Sequence, residues 1–335
     1  MIKKVFLGLG PMSIEIIDSL DYFSKKYQKK IMLICSRNQI ESSFLGGGYV
    51  NNFSTQTFSQ YIKSKKNKYL LMCRDHGGPF KRDRSFQNKI NKEVDDCKKS
   101  FADDIFNDFK IIHVDTSECG KSKYEIAEDL IEFCNYFAKE SNKDIHLEFG
   151  CEDHGVMTNF SKFRKDAKFF SKFKNKQFIV CQTGSLVKSV FQVGQFDIDS
   201  INTMKQIAKE YEILLKEHNC DYLNHYQINL RKEFGIDALN IAPELGFLQS
   251  NLIFYLCKKY GIDKQLDKFI KVVLLSNKWK KWKYGNENNF LKFLSSAHYH
   301  FNCDEYISIK EKLSRKINFQ NKLDKVIEKK LLLFF

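Results

Sequence analysis

The stretch KYLLMCRDHGGP, from Lys68 to Pro79, places a polar pair directly behind a short apolar run. The run Leu70–Cys73 predicts a buried strand, because four apolar residues in a row end at turn-forming residues. Asp75 and His76 follow, and Gly77-Gly78-Pro79 ends the element. We therefore expect a carboxylate and an imidazole at the end of a strand whose other residues belong to the core.

Seven other segments repeat this pattern of a short apolar run followed by polar residues or glycine. They are VFLGLG (5–10), IMLICSRNQ (31–39), IIHVDTSE (111–118), IHLEFGCED (145–153), FIVCQTG (178–184), ILLKEHNCD (213–221) and ALNIAPE (238–244). Amphipathic stretches lie between them, as in KYEIAEDLIEFCNYFAKE at 123–140. Strand and helix signals that alternate eight times, in units of about 30 residues, predict a (β/α)₈ TIM barrel, an α/β fold, over residues 1–255. A doubly wound parallel sheet is the alternative.

The chain after about residue 250 shows only helical spacing of its apolar residues, as in NLIFYLCKKYG at 251–261. We expect residues 256–335 to form a helical C-terminal extension packed on the barrel. The segment GLGP at 8–11 has two glycines followed by Pro11, and it lacks the third glycine of a dinucleotide-binding loop. A Rossmann fold is therefore excluded.

The composition limits the class of protein. Apolar residues make up 43% of the 335 residues, which is typical of a globular chain rather than a disordered one. The longest apolar runs, VVLL at 272–275 and LLLFF at 331–335, are far shorter than the roughly 20 residues of a membrane-spanning helix. No small-residue cleavage site follows the first apolar run, so we expect no signal peptide and a cytoplasmic protein.

Ten cysteines occur without any CxxC pair. Several lie in strand-like runs (Cys35, Cys73, Cys181) or in helix-like ones (Cys134, Cys257). This pattern predicts reduced, buried thiols rather than a disulfide framework or a structural zinc site.

The net charge of +14 raises the question of a nucleic-acid partner. Lysine is spread over the whole chain, which indicates a compositional bias rather than a binding stripe, so we expect no nucleic-acid partner. The densest basic and aromatic cluster is NKWKKWKYG at 277–285. A solvated helix end and a patch for an anionic partner explain this cluster equally well.

Polar residues follow nearly every predicted strand. In a closed barrel the C-terminal ends of the strands share one face, where barrel enzymes carry their chemistry. The residues expected there are Asn38, Gln39, Asp75, His76, Asp115, Glu152, Gln182, His218, Asp221 and Glu244. Each one alone is explained as a hydrogen-bonded strand end, but burying so many polar groups without a use is costly.

Two histidines and a carboxylate are enough to hold a divalent metal while leaving coordination positions open. His76, Glu152 and His218 come from different predicted strands and are the metal ligands that we expect. His154 is a competing candidate that lies beyond its strand. His113 lies inside an apolar run two residues before Asp115, and we interpret it as a core residue or as a neighbour of the site.

Several motifs resemble a known family. SRNQIESSFLGGGYV, CRDHGGP, IIHVDTS, the strand before Glu152, and KEHNCDY followed by APEL resemble the non-catalytic subunit of class II D-tagatose-1,6-bisphosphate aldolase. The same family contains sugar epimerases that act at carbon 4. The resemblance runs from about residue 30 to residue 285, with the motifs in the same order. It implies a barrel related to class II aldolases and a divalent metal, with zinc the expected ion.

The resemblance also implies roles for single residues. Asp75 corresponds to the acid/base aspartate that precedes the first metal histidine, His76, and His218 corresponds to the late-strand metal histidine. Glu152 resembles the carboxylate that ends the fifth strand. Asp115 and Asp221 are further catalytic candidates. The residues expected to contact substrate are Arg37, Asn38, Gln39, Gln182 and Glu244.

Two departures from the family pattern affect the expected substrate. The sixth strand ends in CQTGSLVKS at 181–189, where class II aldolases place a metal histidine, and only Gln182 is an obvious polar substitute. HNCDYLN at 218–224 offers no glycine-rich phosphate loop after the seventh strand. A monophosphate, a free sugar or a nucleotide-linked sugar is thus as well supported as a bisphosphate. The candidate anion partners are Arg37, Arg74 and Lys188.

Two functions follow from these observations. The first is a metal-dependent enzyme that acts on a ketose or sugar phosphate, as a C4 epimerase using retro-aldol or deprotonation chemistry, in carbohydrate or surface-polysaccharide metabolism. The alternative is a non-catalytic subunit that stabilises a class II tagatose-bisphosphate aldolase. The expected partners are a small sugar or sugar phosphate and either an aldolase subunit or a second copy of the chain, with no membrane.

Overall fold

Eight parallel strands close into a barrel. The computed structural model describes residues 7–82, 89–150 and 159–335. The barrel strands are β1 (Leu7–Leu9), β2 (Ile31–Ser36), β3 (Leu70–Gly77), β4 (Ile111–Asp115), β5 (His146–Gly150), β6 (Lys176–Cys181), β9 (Leu214–Glu217) and β10 (Ala238–Ile241). They are ordered β1-β10-β9-β6-β5-β4-β3-β2 around the barrel. The predicted (β/α)₈ barrel is confirmed, and a doubly wound sheet is excluded.

Helices surround the barrel and continue beyond it. They are α1 (Ile14–Tyr27), α2 (Thr55–Ser64), α3 (Ile90–Phe106), α4 (Lys123–Glu140), α5 (Phe160–Phe170), α6 (Ile198–Glu210), α7 (His225–Glu233), α8 (Pro243–Tyr260), α9 (Asp263–Leu275), α10 (Asn289–Ser296), α11 (Asp304–Ser314) and α12 (Phe319–Leu331). A short antiparallel hairpin, β7 (Val187–Lys188) and β8 (Phe191–Gln192), is inserted after β6. Among the described residues, no helix has the length and apolar character needed to cross a membrane.

The inside of the barrel changes from apolar to polar along the strands. Its N-terminal half is filled by Met32, Ile34, Cys73, Ile111, Phe178 and Ala238. Side chains two residues further along a strand point to the same side of the sheet. Asp75 follows Cys73 in this way, His113 follows Ile111, and Asn240 follows Ala238. The alternation therefore places a polar layer directly above the apolar one, towards the C-terminal ends of the strands.

Two glycines make room for this polar layer. A Cβ atom on Gly8 of β1 would lie 2.1 Å from Oδ1 of Asn240. A Cβ atom on Gly78, just after β3, would lie 1.7 Å from the backbone oxygen of Asp115. Both distances are far below van der Waals contact, so side chains at these two positions are excluded unless their neighbours move.

The C-terminal region is helical, as predicted. Helix α12 packs against α1 and α8; α10 and α11 each pack on α9, and α9, α10 and α11 all pack on α8. The ammonium of Lys330 in α12 lies 2.7 Å from a carboxylate oxygen of Glu244, in the first turn of α8. The boundary expected between residues 255 and 256 lies inside α8, and the division into two domains stays a prediction.

The cysteines also agree with the sequence prediction. Cys35, Cys73, Cys134, Cys181 and Cys257 are buried free thiols. No disulfide occurs in the described part of the chain.

Candidate functional site

His76 has an unusual backbone conformation that explains the polar pair at the end of β3. In a regular strand Asp75 and His76 would point to opposite sides of the sheet. The register between β3 and β4 shifts between Arg74 and Gly77, and His76 has a φ of +43°. This left-handed conformation is costly for a residue with a side chain and concentrates at functional sites. It brings Nε2 of His76 within 4.0 Å of Oδ2 of Asp75.

Three imidazoles meet at this point, one from each of three strands. The ring centroids of His76 and His218 are 5.1 Å apart, those of His113 and His218 5.3 Å, and those of His76 and His113 5.6 Å. The backbone N–H of His76 donates to Nδ1 of His113 over 3.2 Å. The left-handed turn at His76 thus also orients the second ring.

Two carboxylates complete the cluster. Oδ1 of Asp75 lies 3.5 Å from Nδ1 of His113 and 3.7 Å from Nε2 of His218. Oε1 of Glu148, on β5, lies 2.9 Å from Nε2 of His218 and 3.6 Å from Nδ1 of His113. We refer to His76, His113, His218, Asp75 and Glu148 as the barrel cluster.

A buried lysine balances part of the negative charge of the barrel cluster. Nζ of Lys216 lies 2.5 Å from Oε2 of Glu148, and both side chains are almost completely buried. Burial raises the pKa of Glu148, but the charges of Lys216 and His113 outweigh burial and lower this pKa to about 2. Burial also raises the pKa of Asp75, and the neighbouring His76 and His218 lower it well below its ordinary value. Both carboxyl groups are therefore ionised at neutral pH.

Asp115 orients His76 from outside the cluster. Its Oδ2 lies 2.9 Å from Nδ1 of His76 and 3.3 Å from Nζ of Lys81, and Ser117 donates to its Oδ1. Burial raises the pKa of Asp115, but the hydrogen bond from His76 and the charge of Lys81 bring it well below the ordinary value. A neutral His76 that donates from Nδ1 carries its lone pair on Nε2, on the side of Asp75. This carboxylate–histidine arrangement is common behind metal-binding histidines.

The residues of the barrel cluster fit a divalent metal ion. Within each of two overlapping sets, His76/His113/His218 and Asp75/His113/Glu148/His218, one donor atom per residue lies within 4.8 Å of the others. Imidazole nitrogens and carboxylate oxygens are the donors that zinc and similar ions take in proteins. Nε2 of His113 and Oδ1 of Asn240 are also buried without a hydrogen-bond partner among the described residues. The cluster can therefore hold a divalent metal.

Several predicted site residues lie elsewhere and make structural contacts. Oδ1 of Asp221 accepts hydrogen bonds from the backbone N–H groups of Ala242 and Glu244, at the start of α8. Glu244 pairs with Lys330 and accepts the backbone N–H of Tyr222. These contacts hold the first turn of α8 in place.

The predicted polar residues after β2 hold the loop that follows this strand. Arg37 pairs with Glu41 over 2.6 Å and donates to the backbone oxygen of Gly78. Gln39 accepts the backbone N–H of Ser36. Asn38 donates to the backbone oxygen of Lys81.

The remaining candidates are accounted for individually. Arg74 makes two hydrogen bonds to the carboxylate of Asp104 with both side chains fully buried, so its charge is already balanced. Gln182 is buried just after β6, and Lys188 is half-buried in β7. Glu152 and His154 lie outside the described residues.

The sequence does not mark Glu148, Lys216 or Asn240 as site residues, and it places His113 in the core or beside the site. All four point into the barrel from inside a strand, rather than from its end. The sequence signal that marks these residues is the alternation of side chains along a strand. His113 and Asp115 lie on the same side of β4, and Lys216 of β9 lies on the same side as His218, which directly follows β9. The third imidazole thus comes from the fourth strand, whereas the family pattern expects it near the sixth.

Comparison with known proteins bears on the fold. Neither a protein-family model nor a curated protein sequence matches the chain. A protein from Sinorhizobium meliloti 1021, described as a probable tagatose 6 phosphate kinase, matches with a TM-score of 0.78 at 13% identity, over 93% of this chain and 87% of its own. The fructuronate-tagaturonate epimerase of Cohnella laeviribosi matches with a TM-score of 0.63 at 11% identity, over 99% of this chain and 81% of its own.

A fructose-bisphosphate aldolase from Campylobacter jejuni also matches, with a TM-score of 0.58 at 13% identity, over 99% of this chain and 90% of its own. Likeness at these identities concerns the fold alone. The resemblance to class II aldolase-like proteins that the motifs predicted is confirmed at this level: the chain has the barrel fold of aldolase and epimerase structures.

Proposed function

We propose that the chain is a metal-dependent enzyme that acts on a ketose or sugar phosphate, and that its reaction is epimerisation at carbon 4. The observation that carries this proposal is the barrel cluster: three imidazoles and two carboxylates gathered at the C-terminal end of a closed barrel. The names of the similar structures, which include aldolases and an epimerase of sugar acids, support the same class of substrate.

In this proposal His76, His113 and His218 bind the metal ion. Glu148 either adds a carboxylate ligand or lies next to these ligands without binding the ion. Zinc is the proposed ion, because imidazole-rich sites suit it. When bound, the ion withdraws electrons from a substrate carbonyl or hydroxyl oxygen and stabilises the negative charge that develops there. Asp115 keeps the ring of His76 in its orientation through the 2.9 Å contact to Nδ1.

Asp75 is the proposed acid/base residue. Glu148 is fully buried and paired with Lys216, so it is poorly suited to exchange protons with a substrate. The side chain of Asp75 is 11% exposed and lies among all three imidazoles. Its lowered pKa makes it an anionic base at neutral pH, and Asn240 donates to its Oδ1 over 3.4 Å.

The proposed reaction needs only one residue that takes up a proton and returns it. In the retro-aldol route, Asp75 takes the proton of the C4 hydroxyl as the C3–C4 bond breaks, which leaves an aldehyde and an enediolate. The aldehyde then presents its other face, the C3–C4 bond forms again, and Asp75 returns the proton to the new C4 oxygen. General base catalysis of this kind typically contributes about 10²–10⁴-fold to the rate.

The experiment combines metal analysis with a stereochemical assay. Purified protein is loaded with Zn²⁺, freed of excess ion, and incubated with fructose, tagatose and their 6-phosphates. We expect close to one ion per chain and interconversion of one C4-epimeric pair. Protein that takes up no divalent ion when supplied with Zn²⁺, Mn²⁺ or Co²⁺ rejects the proposal. If the protein takes up one ion per chain but interconverts no C4-epimeric pair, the epimerase reaction is rejected and the metal site is retained.

A further inference from the structure

The segment that contains the lysine- and tryptophan-rich motif lies along the mouth of the barrel. The backbone N–H of Ser189, in the hairpin after β6, donates to the backbone oxygen of Trp282 over 2.6 Å. The ring of His298 packs so closely on Gly246 of α8 that a Cβ atom there would lie 2.7 Å from the Cβ of His298. The same ring is 6.2 Å from that of Tyr49, in the loop after β2.

These contacts define which part of the mouth the segment covers. It reaches the loops that follow β6 and β2, and the start of α8, the helix that follows β10. Around the barrel, β6, β9, β10, β1 and β2 are consecutive neighbours. Residues 278–300 therefore line the rim on this side, and the strands that carry Asp75, His113 and Glu148 lie on the other.

The hairpin β7–β8 connects this rim to the barrel cluster. The side-chain amide of Gln192 donates to the backbone oxygens of Asn219 and Asp221, over 2.8 and 3.2 Å. Asn219 directly follows His218 and has a left-handed backbone, with a φ of +59°. The hairpin thus binds the backbone of Trp282 through Ser189, and the loop that follows His218 through Gln192.

Two donors on this rim have no acceptor among the residues that the structure describes. Oγ of Ser189 and Nε1 of Trp282 are buried atoms without a hydrogen-bond partner in the described part of the chain. A buried polar group without a partner is costly, so such groups are rare in native proteins. An indole N–H can only donate, and a hydroxyl can donate as well. An acceptor group can therefore satisfy either donor.

The lysine-rich motif places a positive charge beside the Trp282 ring. The ammonium of Lys281 lies 5.2 Å from the centre of the Trp282 ring, and the side chain is exposed. No ion pair links Lys281 to a carboxylate of the described residues. Burial and the charge of Lys281 lower the pKa of His298 to about 3. The ring of His298, which lies 6.4 Å from that of Trp282, is therefore uncharged at neutral pH. Residues 277–285 contain four lysines and no acidic residue.

We propose that Ser189, Trp282 and Lys281 bind an anionic oxygen group, a phosphate or a carboxylate, at the end of the sugar that lies away from the barrel cluster. The sugar part of this inference rests on the proposed function, whereas the anion site rests on the rim alone. The proposed anion site takes the place of the glycine-rich phosphate loop that the sequence lacks. Of the two explanations of the lysine-rich motif, it favours a patch for an anionic partner.

The experiment uses the two tryptophans of the chain. In the Trp279→Phe variant, Trp282 is the remaining tryptophan, and its fluorescence reports directly on the rim. Metal-free protein is titrated with fructose, fructose 6-phosphate and fructuronate, which differ only at carbon 6. We expect one or both anions to change the emission of Trp282 and to bind at least about tenfold more tightly than fructose, as charge-assisted hydrogen bonds do.

Matched variants identify the site. Lys281→Gln in the same background is expected to weaken anion binding by about tenfold or more. Lys280→Gln is the control, because Lys280 is an exposed lysine of the same motif that lies over Trp279 instead. Ser189→Ala, checked by its unfolding transition, removes one donor and should weaken binding without weakening Zn²⁺ uptake.

Several results overturn the anion site: equal affinity for all three sugars, no effect of Lys281→Gln, or equal effects of Lys280→Gln and Lys281→Gln. The proposed function fails separately. Tight anion binding by a protein that takes up no metal rejects the metal-dependent reaction alone. Turnover of fructose with no preference for an anionic group at carbon 6 rejects the rim site alone.

Discussion

At the scale of single residues, the site depends on the backbone of His76. A φ of +43° is costly for histidine, and a regular strand would direct its ring away from Asp75. The same conformation orients the N–H that His113 accepts. One strained residue thus arranges two imidazoles and one carboxylate. Strain at a cluster of metal-donor groups favours a functional site over a structural strand end.

Replacing Asp75 and His76 separates proton transfer from metal binding. Asp75→Asn is expected to lower turnover by about 10²–10⁴-fold, because the amide cannot accept a proton, while Zn²⁺ content stays close to that of the wild type. His76→Ala is expected to lose most of the bound Zn²⁺, since it removes one of the three imidazoles. Metal content per chain and the rate of C4 interconversion are measured together. Full activity in either variant contradicts the assigned role.

Lys216 is expected to hold the barrel cluster together electrostatically. Lys216→Met leaves the fully buried carboxylate of Glu148 without its cation, which should destabilise the metal-free protein by about 3 kcal/mol or more. Urea unfolding measures the loss. The double variant Lys216→Met/Glu148→Gln removes both charges and should regain part of it. Equal stabilities of the wild type and the single variant would mean that His218 and His113 are sufficient partners for Glu148, or that Glu148 is protonated.

At the scale of elements, the sequence predicts the strands well and the inside of the barrel poorly. All eight apolar runs are strands, because a strand buried on both sides needs a continuous apolar run. Glu148 and Lys216 interrupt two of these runs, and the charge of each offsets the buried charge of the other. They lie 68 residues apart along the chain. No local pattern carries that information, whereas the ends of strands, such as Asp75 and His218, are marked by local turn residues.

Two glycines test how closely the elements pack around the site. Gly78→Ala brings a methyl group against the backbone oxygen of Asp115, so β3 and β4 must move apart. Gly8→Ala meets side-chain atoms alone: the end of Asn240, which can rotate away from Asp75, and Cγ2 of Ile34 at 3.0 Å. We expect Gly78→Ala to cost about 1–3 kcal/mol of unfolding free energy, and Gly8→Ala to cost less. Denaturant unfolding of both variants measures this order, and the reverse order would contradict the packing described here.

At the scale of the whole molecule, the C-terminal helices are attached to the barrel where the last strand ends. Lys330 of α12 pairs with Glu244, and Asp221 accepts two backbone N–H groups at the same helix start. The sequence marks Asp221 and Glu244 as polar strand ends but gives no means of separating them from the barrel cluster. Their partners, a helix start and a lysine near the end of the chain, become apparent only when the whole chain is folded.

The buried carboxyl group of Asp221 lies at this attachment, and we expect it to make the stability of the protein depend on pH. Burial, followed by the nearby charge of Glu244, raises the pKa of Asp221 from 3.8 to about 7. A carboxyl group whose pKa is higher in the folded state stabilises the fold when protonated, below its unfolded pKa, and this contribution is lost as the pH rises to the folded pKa. The contribution of Asp221 should therefore fall between about pH 4 and pH 7.

Asp221→Asn is the matched variant, because its amide oxygen still accepts the two N–H groups and does not titrate. The unfolding free energy of the wild type minus that of Asp221→Asn should decrease from pH 5 to pH 7, as measured by urea unfolding at constant ionic strength. Glu244, whose pKa burial also raises, titrates in both proteins and largely cancels in the difference. If this difference in unfolding free energy stays constant or increases over this range, Asp221 is ionised throughout. The backbone N–H groups at the start of α8 would then stabilise its charge.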